Sequence, residues 1–403
     1  MHMTTETTDL DTLRRETEAW VRARLPESWV RIIDSGATGT DPALADPAAA
    51  REWYTALCER GWAVPHWPVE YGGAGLSDAE AAVVAAVIAR YRADLPGPYF
   101  VSRTLIGPTV MAWGSPEQRR HYLPGIAAGT DVWCQLFSEP GAGSDLAGLA
   151  TRATPDGDRW IVRGQKVWSS FADQARYGML LARTHPERPK HAGISCFLLD
   201  MRTPGVTVRP LRQLTGEQHF CEVFLDEVVV PDTVRLGGVG EGWRVALSTL
   251  SAERSGLSDS SEASGVPLAP VLALARTTGG WRDPVLRDRL TALLVTERAL
   301  HLTNLRNRAS AADGARGSIT KLAQSELSQR ISEIGYEIAG ARAAYSDEVA
   351  LTPEAYALLD SRRLTIAGGA SEIQRTIIAE RVLGLDREPD PDRGRPWNET
   401  RHG

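Results

Sequence analysis

The sequence predicts an α+β protein in which a compact antiparallel β module sits between two helical regions. Three features carry that prediction. Apolar positions recur at three- and four-residue spacing through residues 1–130, the spacing of amphipathic helices. From Asp131 they give way to short runs rich in Val, Ile, Leu and Phe, separated by Gly, Asp and Pro and leaving no room for helices between them. Beyond Gly242 the helical spacing returns and persists to about Leu385. A chain of 403 residues needs more than one ordinary domain, because single cores stop growing near about 250–300 residues.

The N-terminal region, 1–130, reads as nearly all helix, at 9–25, 47–60, 77–93, 100–113 and 116–128, with Ser115-Pro116 as a helix start and Gly129 as a stop. In the middle region, 131–240, strands are expected in VWCQLFSE, RWIVRGQKVW, YGMLLAR, GISCFLLD, GVTVRP and EVFLDEVVVP. The C-terminal region, 241–386, carries long amphipathic helices near 242–258, 284–312, 316–343, 353–364 and 371–383, the pattern of an antiparallel helix bundle of the four-helix type. Pro267 and Pro270 should break or kink any helix through 259–270. The polar, proline-rich stretch 387–403 reads as a flexible tail.

Composition narrows the function. A net charge of −6 and the lack of any Lys/Arg-rich run point away from nucleic acid as a partner. No apolar run approaches the roughly 20 residues of a membrane span, and the first residues lack the basic-then-apolar order of a signal peptide, so a cytoplasmic protein is expected. Cys58, Cys134, Cys196 and Cys221 form no CxxC pair and read as reduced thiols, and no histidine spacing supports a metal site. Twelve tryptophans stand against six phenylalanines, an unusual ratio.

Four motifs could carry chemistry. In Ser138-Glu139-Pro140-Gly141-Ala142-Gly143-Ser144-Asp145, the glycines let backbone N–H groups approach a phosphate or a flat ring, and Ser138 and Ser144 add hydroxyls. The next element is a strand rather than a helix, so the dinucleotide-fold reading fails and a plain tight turn stays open. In Gly164-Gln165-Lys166-Val167-Trp168-Ser169-Ser170-Phe171, an indole followed by hydroxyls suits a planar cofactor, or else a core tryptophan. On the helix VALSTLSAERSGLS, Ala246, Leu250, Glu253 and Leu257 share the apolar stripe, while Arg254 points about 100° away. Glu253 has no cation at i−4 or i+4; desolvation would raise its pKa toward that of a general base, unless another element supplies a salt bridge. The run from Leu364 to Ile378 is a helix–loop–helix: Gly368-Gly369 stops one helix and Ser371 can cap the next.

Together these motifs resemble the acyl-CoA dehydrogenase family over about residues 9–386. The resemblance lies in the ordered set SEPGAGSD, GQKVWSS, PLRQLTGEQHFCEVFLDEVVVP, GEGWRVALSTLSAER and AGGASEIQRTIIAERVLG, with WPVEYGGAG at 67–75 ahead of them. It implies an α–β–α fold with FAD between the β domain and the C-terminal bundle. By position, Phe137, Ser138, Gly143 and Ser144 would line the flavin, Trp168 would pack on the isoalloxazine, Ser170 would hydrogen-bond it, and Glu372 would contribute from the bundle. Ser144 would also lie near the thioester's pantetheine arm, and Arg254 would be structural or would contact the CoA arm. The implied reaction removes the α-proton of an acyl thioester to a carboxylate and passes the β-hydride to flavin N5, leaving a trans-2-enoyl thioester.

Most family members carry the catalytic glutamate in a Tyr-Glu-Gly-Thr loop, matched here by Ala367, Gly368, Gly369 and Ala370. The alternative position, used by isovaleryl- and long-chain-type members, falls on Glu253. The cross-interface motifs Arg-x-x-Phe-Gly and Gln-x-x-Gly-Gly correspond to 276–282 and to Glu337-Ile338-Ala339-Gly340-Ala341, and match poorly. The wording of ITKLAQSELSQR and AGGASEIQRTIIAERVLGL looks like actinobacterial members that act on steroid side chains and other bulky acyl-CoAs, among which α2β2 heterotetramers occur. The implied partners are an acyl-CoA or acyl-carrier-protein thioester, an electron-transfer flavoprotein, and either further copies of the chain or a second dehydrogenase subunit. A flavin-dependent monooxygenase of the same fold and a non-catalytic partner subunit are the alternatives, and Glu253 argues against both.

Overall fold

The computed structural model describes residues 3–34, 47–91, 97–259, 265–309, 314–345 and 351–400. Its N-terminal helices run Met3–Arg24, Glu27–Asp34, Pro47–Glu59 and Asp78–Arg90, followed by one helical path through Gly97–Phe100, Val101–Ile106 and Gly107–Trp113, and then Pro116–Ala127. Ser77 and Ser115 both build capping boxes, with Glu80 and Gln118 answering from the third helical position. The expected single helix over 100–113 is therefore interrupted: Val101–Ile106 is a π turn. Pro108, which has no N–H to donate back along the helix, lies just beyond it. At Gly107, a Cβ would stand 2.2 Å from the Trp67 ring, so the missing side chain lets the indole pack against the helix.

The sheet contains β1 (Trp133–Leu136), β2 (Arg152–Asp156), β3 (Arg159–Ser170), β4 (Tyr177–Arg183), β5 (Ile194–Asp200), β6 (Val206–Leu211), β7 (Phe220–Pro231) and β8 (Arg235–Leu236). Its order is β6-β7-β3-β2-β4-β5-β8, with β1 beside β4. The domain is mainly antiparallel, as expected, with two parallel pairings. β1 runs parallel to β4 from Trp133↔Tyr177 to Leu136↔Leu180, and β2 meets β4 in parallel at Arg152↔Arg183. The cause is the long loop after β1: a tight hairpin would reverse the strand, whereas this excursion and the β2–β3 hairpin return the chain in the same direction.

The C-terminal helices are Gly242–Asp259, Leu268–Thr277, Pro284–Ala309, Gly317–Ala339, Ala341–Ala344, Pro353–Leu364 and Ser371–Ile377, the last continued by a π turn at Ile378–Val382. The Leu268–Thr277 helix was not expected. Pro267 is its N-cap residue and Pro270 sits in its first turn, where a helix has no use for the N–H that proline lacks, so the two prolines start a helix rather than break one.

The stretch read as a flexible tail is instead docked over its last described residues. Trp397 N donates to Arg188 O at 2.9 Å and Asn398 N to Pro186 O at 3.0 Å, beside a bridge between Pro189 and Pro396. Trp62, Trp67 and Trp133 are buried, so much of the tryptophan excess is packing.

The three regions meet on the Gly242–Asp259 helix. Its buried face carries Val245, Ala246 and Thr249. Thr249 Oγ1 lies 3.0 Å from Thr109 Oγ1 of the N-terminal region and 3.6 Å from Met179 Sδ of β4. At the helix start, a Cβ on Gly242 would fall 2.5 Å from the Ser195 backbone of β5. Gly242→Val should therefore lift this helix off the sheet and cost about 1–3 kcal/mol. A thermal melt should show the midpoint lowered by several degrees, and an unchanged midpoint would mean that the close approach does not seat the helix.

Candidate active site

The site grows from the end of β1. Glu139 N and O pair with Ala142 O and N, both at 3.0 Å, closing a tight turn around the exposed Pro140 and Gly141. Beyond it Gly143 and Ser144 are exposed, and a Cβ built on Gly143 would meet no atom within 4 Å. The turn thus presents bare backbone and one hydroxyl.

β3 supplies the second wall. Its inward phase runs Trp160, Val162, Lys166, so the lysine side chain points under the turn, where it is fully buried. Lys166 Nζ donates to Glu139 Oε1 at 2.8 Å and to Phe137 O at 3.0 Å. The same carboxylate accepts from Ala150 N at 2.7 Å and Thr151 N at 2.9 Å. Burial alone would raise the Glu139 pKa; Lys166 and these donors outweigh it and hold the carboxyl below its ordinary range. Val167 N donates to Ser138 O at 3.0 Å, stitching the two motifs side by side.

Between Lys166 and Ser169 the pairing with β7 slips, and Trp168 takes φ of +61° in the resulting bulge. The bulge turns the indole outward: Trp168 is 61% exposed, touching Phe220 edge-on at 5.9 Å. Ser170 is half-buried at the strand end, and Phe171 stacks on His219 with centroids 5.5 Å apart. The β6–β7 loop bearing His219 reaches the bundle, where Tyr356 Oη donates to Glu217 Oε2 at 3.0 Å. Burial keeps His219 below the usual histidine range, against the pull of Glu217. A bare-backbone turn, an exposed indole and adjacent hydroxyls on one edge fit a flat heteroaromatic cofactor such as a flavin.

Phe137, Ser138, Trp168 and Ser170 are thus brought together, with Gly143 and Ser144 on the adjoining loop. Glu372 is not part of this group. It is exposed on the Ser371–Ile377 helix, 3.6 Å from Arg375, and lines a recess of about 340 Å³ in the bundle with Gln329, Thr365 and Ala370. Glu253 and Arg254 lie on the Gly242–Asp259 helix, with Glu253 one turn beyond buried Thr249; their side chains lie outside the described residues. In the 364–370 loop, Lys321 Nζ donates to Leu364 O and Gly369 O at 3.0 and 2.6 Å, and Gln374 Nε2 to Gly368 O at 3.0 Å. Among the described residues no group of His, Cys, Asp and Glu could hold a metal ion, and no helix is long and apolar enough to cross a membrane. The Lys166–Glu139 pair and His219 were missed as site residues. The signal for Lys166 was its place on the inward phase of an otherwise apolar strand.

The fold and this edge define a flavin-type oxidoreductase, and the comparisons specify which. Three family models match in series: acyl-CoA dehydrogenase N-terminal domain over 7–130, middle domain over 134–228 and C-terminal domain over 240–383. The chain belongs to the acyl-CoA dehydrogenase family, whose members are FAD-dependent oxidoreductases. It is 37% identical to acyl-CoA dehydrogenase IpdE1 of Mycobacterium tuberculosis over 94% of this chain and 99% of that one. It is 39% identical to acyl-CoA dehydrogenase FadE34 of the same organism over 92% of its own length, while spanning about half (51%) of FadE34. Among solved structures, a "Tcur3481-Tcur3483 steroid ACAD" matches with TM-score 0.77 and 30% identity, over 94% of this chain and 98% of that one. The ChsE4-ChsE5 complex from Mycobacterium tuberculosis matches with TM-score 0.73 and 28% identity over the same shares.

Replacing Lys166 by Met would leave the Glu139 carboxylate buried with backbone donors alone, at a cost of about 3–5 kcal/mol. The loss should depend on pH. In the native protein the lowered pKa makes the Glu139 contribution complete above the ordinary carboxylate value of about 4.3, and lost as pH falls through the lowered value. In the variant the Lys166 charge and hydrogen bond are lost and only the backbone donors oppose burial, so the Glu139 pKa rises from its native value and protonation relieves the penalty as pH falls. Urea midpoints should therefore show a larger deficit for Lys166→Met at pH 8 than at pH 5; equal deficits would refute the buried pair.

Proposed function

We propose that the chain is a cytoplasmic acyl-CoA dehydrogenase that converts a bulky or branched acyl thioester, with a steroid side chain the leading class, to its trans-2-enoyl thioester. Glu253 removes the α-proton. The observation that carries this assignment is the contrast between two positions. The loop of Ala367, Gly368, Gly369 and Ala370 holds no carboxylate and has its carbonyls tied to Lys321 and Gln374. The Gly242–Asp259 helix, clamped against β4, β5 and the N-terminal helices, carries Glu253 in phase with Ala246 and Thr249.

Phe137, Ser138, Gly143, Ser144, Trp168 and Ser170 would hold the flavin, without Glu372, which lines the separate recess in the bundle. FAD, when bound, supplies the acceptor for the β-hydride. Trp168 offers an apolar face that keeps water from the ring, and Ser170 and Ser144 offer hydroxyls that orient the flavin edge and the pantetheine arm. Arg254, one residue on from the base, would serve the thioester's polar arm. Taking a weakly acidic α-proton requires the developing enolate to be stabilised at the thioester oxygen and water to be excluded, which a base fixed on a packed helix serves by holding its distance to Cα.

A second subunit completes the flavin site on this reading, and an electron-transfer flavoprotein takes the electrons. The cross-interface positions support it. Glu337 is bound to Arg289 through both carboxylate oxygens at 2.9 and 2.8 Å, and Arg276 lies over the Trp281 ring at 5.9 Å, so both are engaged within their own chain. The bulky substrate class is supported by the steroid enzyme among the solved relatives and by the small residues Gly368 and Ala370 at the emptied loop.

The test is anaerobic mixing of the flavin-loaded assembly with a panel of acyl-CoAs, wild type against Glu253→Gln. Wild type should bleach the flavin absorbance with bulky substrates, and Glu253→Gln should slow bleaching by about 10²–10⁴-fold. Equal rates would remove Glu253 as the base.

A further inference from the structure

Arg183 and the docked 396–398 segment form a device that neither the fold nor the proposed chemistry calls for. Arg183 is 1% exposed, yet no carboxylate pairs with its guanidinium among the described residues. Its donors go to main-chain oxygens instead: Nη2 to Ala147 O at 2.6 Å and Leu149 O at 3.1 Å, Nε to Leu149 O at 3.3 Å, and Nη1 to Lys190 O at 2.6 Å. Trp397 covers the face of this cation with its ring centroid 4.6 Å from the guanidinium carbon, and its Nε1 donates to Gly148 O at 3.3 Å. Three successive backbone carbonyls, of residues 147–149, are therefore bound by one arginine and one tryptophan.

The loop so held is the continuation of the turn carrying Gly143 and Ser144. Asp145 accepts from Lys190 Nζ at 3.0 and 2.9 Å, and Lys190 belongs to the 185–190 segment on which the 396–398 backbone lies. The contacts close a ring: the 145–149 loop, Arg183, the 185–190 segment and the Trp397 segment. A cation removed from water recovers part of the lost hydration from carbonyl dipoles and from an aromatic face, and an indole is the strongest of the aromatic choices. Removing the indole would open the guanidinium to solvent and loosen its hold on 147–149.

We propose that Trp397 is a positioning residue for flavin binding: by capping Arg183 it straps the 143–149 loop in the conformation that receives the cofactor. The inference rests on the reading of that loop as part of the flavin site.

Two measurements on the purified assembly test it. Hydrogen–deuterium exchange on the flavin-free protein reads the strap itself, and FAD affinity by fluorescence quenching reads its consequence. In Trp397→Ala, the amides of Gly148 and Leu149 should exchange about tenfold faster, and FAD affinity should fall by about fivefold or more. Trp397→Phe keeps a ring over Arg183, loses the Nε1 bond and should fall between the two. Gly143→Val is the control for the loop reading, because its added branch would stand where the cofactor is placed. Unchanged exchange in Trp397→Ala overturns the strap. Faster exchange with unchanged FAD affinity also overturns it, provided Gly143→Val weakens FAD binding. If Gly143→Val leaves FAD affinity unchanged as well, the flavin reading of the loop is what fails, and the proposal falls with it.

Discussion

One buried carboxylate decides the shape of the candidate site. Glu139 gathers the end of β1 through its own turn, β3 through Lys166, and the entry to β2 through Ala150 and Thr151. These segments lie within about thirty residues of one another, and the carboxylate is the one group that bonds to all of them. Two charges taken out of water cost several kcal/mol each unless their hydrogen bonds are complete. Here the carboxylate accepts three hydrogen bonds and the ammonium donates to Glu139 and to Phe137 O, so moving any one segment would leave a buried charge short of a partner. Such a pair stabilises less than an apolar core would, but it tolerates few alternative geometries.

The exposed indole follows from the same constraint. With Lys166 committed to the inward phase of β3 and Ser169 paired with Cys221, two residues of β3 must fit opposite one of β7. The extra residue is absorbed as a bulge, Trp168 enters the left-handed region, and its large apolar side chain is thrown outward rather than into the core. Sheet register, not any preference of tryptophan, gives the site its flat wall.

How much of this was readable in the sequence depended on the range of the interaction. Periodicity placed the helical regions and the strands because each burial pattern is local, and Ser77 and Ser115 mark helix starts three residues from their partners. The failures were tertiary. Pro267 and Pro270 break a helix or begin one according to where the first turn falls. β1 reads as one more antiparallel strand until its pairing with β4 is known. The polar 387–400 stretch looks unstructured because its anchors, Arg188, Gly148 and the Arg183 guanidinium, are about two hundred residues away. In the site, Trp168 and Ser138 were legible as motif residues, whereas the role of Lys166 was not: its inward phase was visible, but its partner was not.

A base on a helix differs from a base on a loop in what the rest of the protein must do. A loop can follow a substrate, so its carboxylate tolerates variation in how the acyl chain enters. The Gly242–Asp259 helix is seated on Ser195 at one end and held against Thr109 and Met179 through Thr249, so on the proposed reading the backbone that carries the base is fixed. The substrate must then be brought to the base. The 364–370 loop has the carbonyls of Leu364, Gly368 and Gly369 held by Lys321 and Gln374, and on the proposed reading its small residues Gly368, Gly369 and Ala370 leave room for the acyl group. A rigid base and a hollowed loop are complementary requirements of an enzyme that positions a large, stiff acyl group, and on the proposed reading they are one adaptation expressed at two places in the chain.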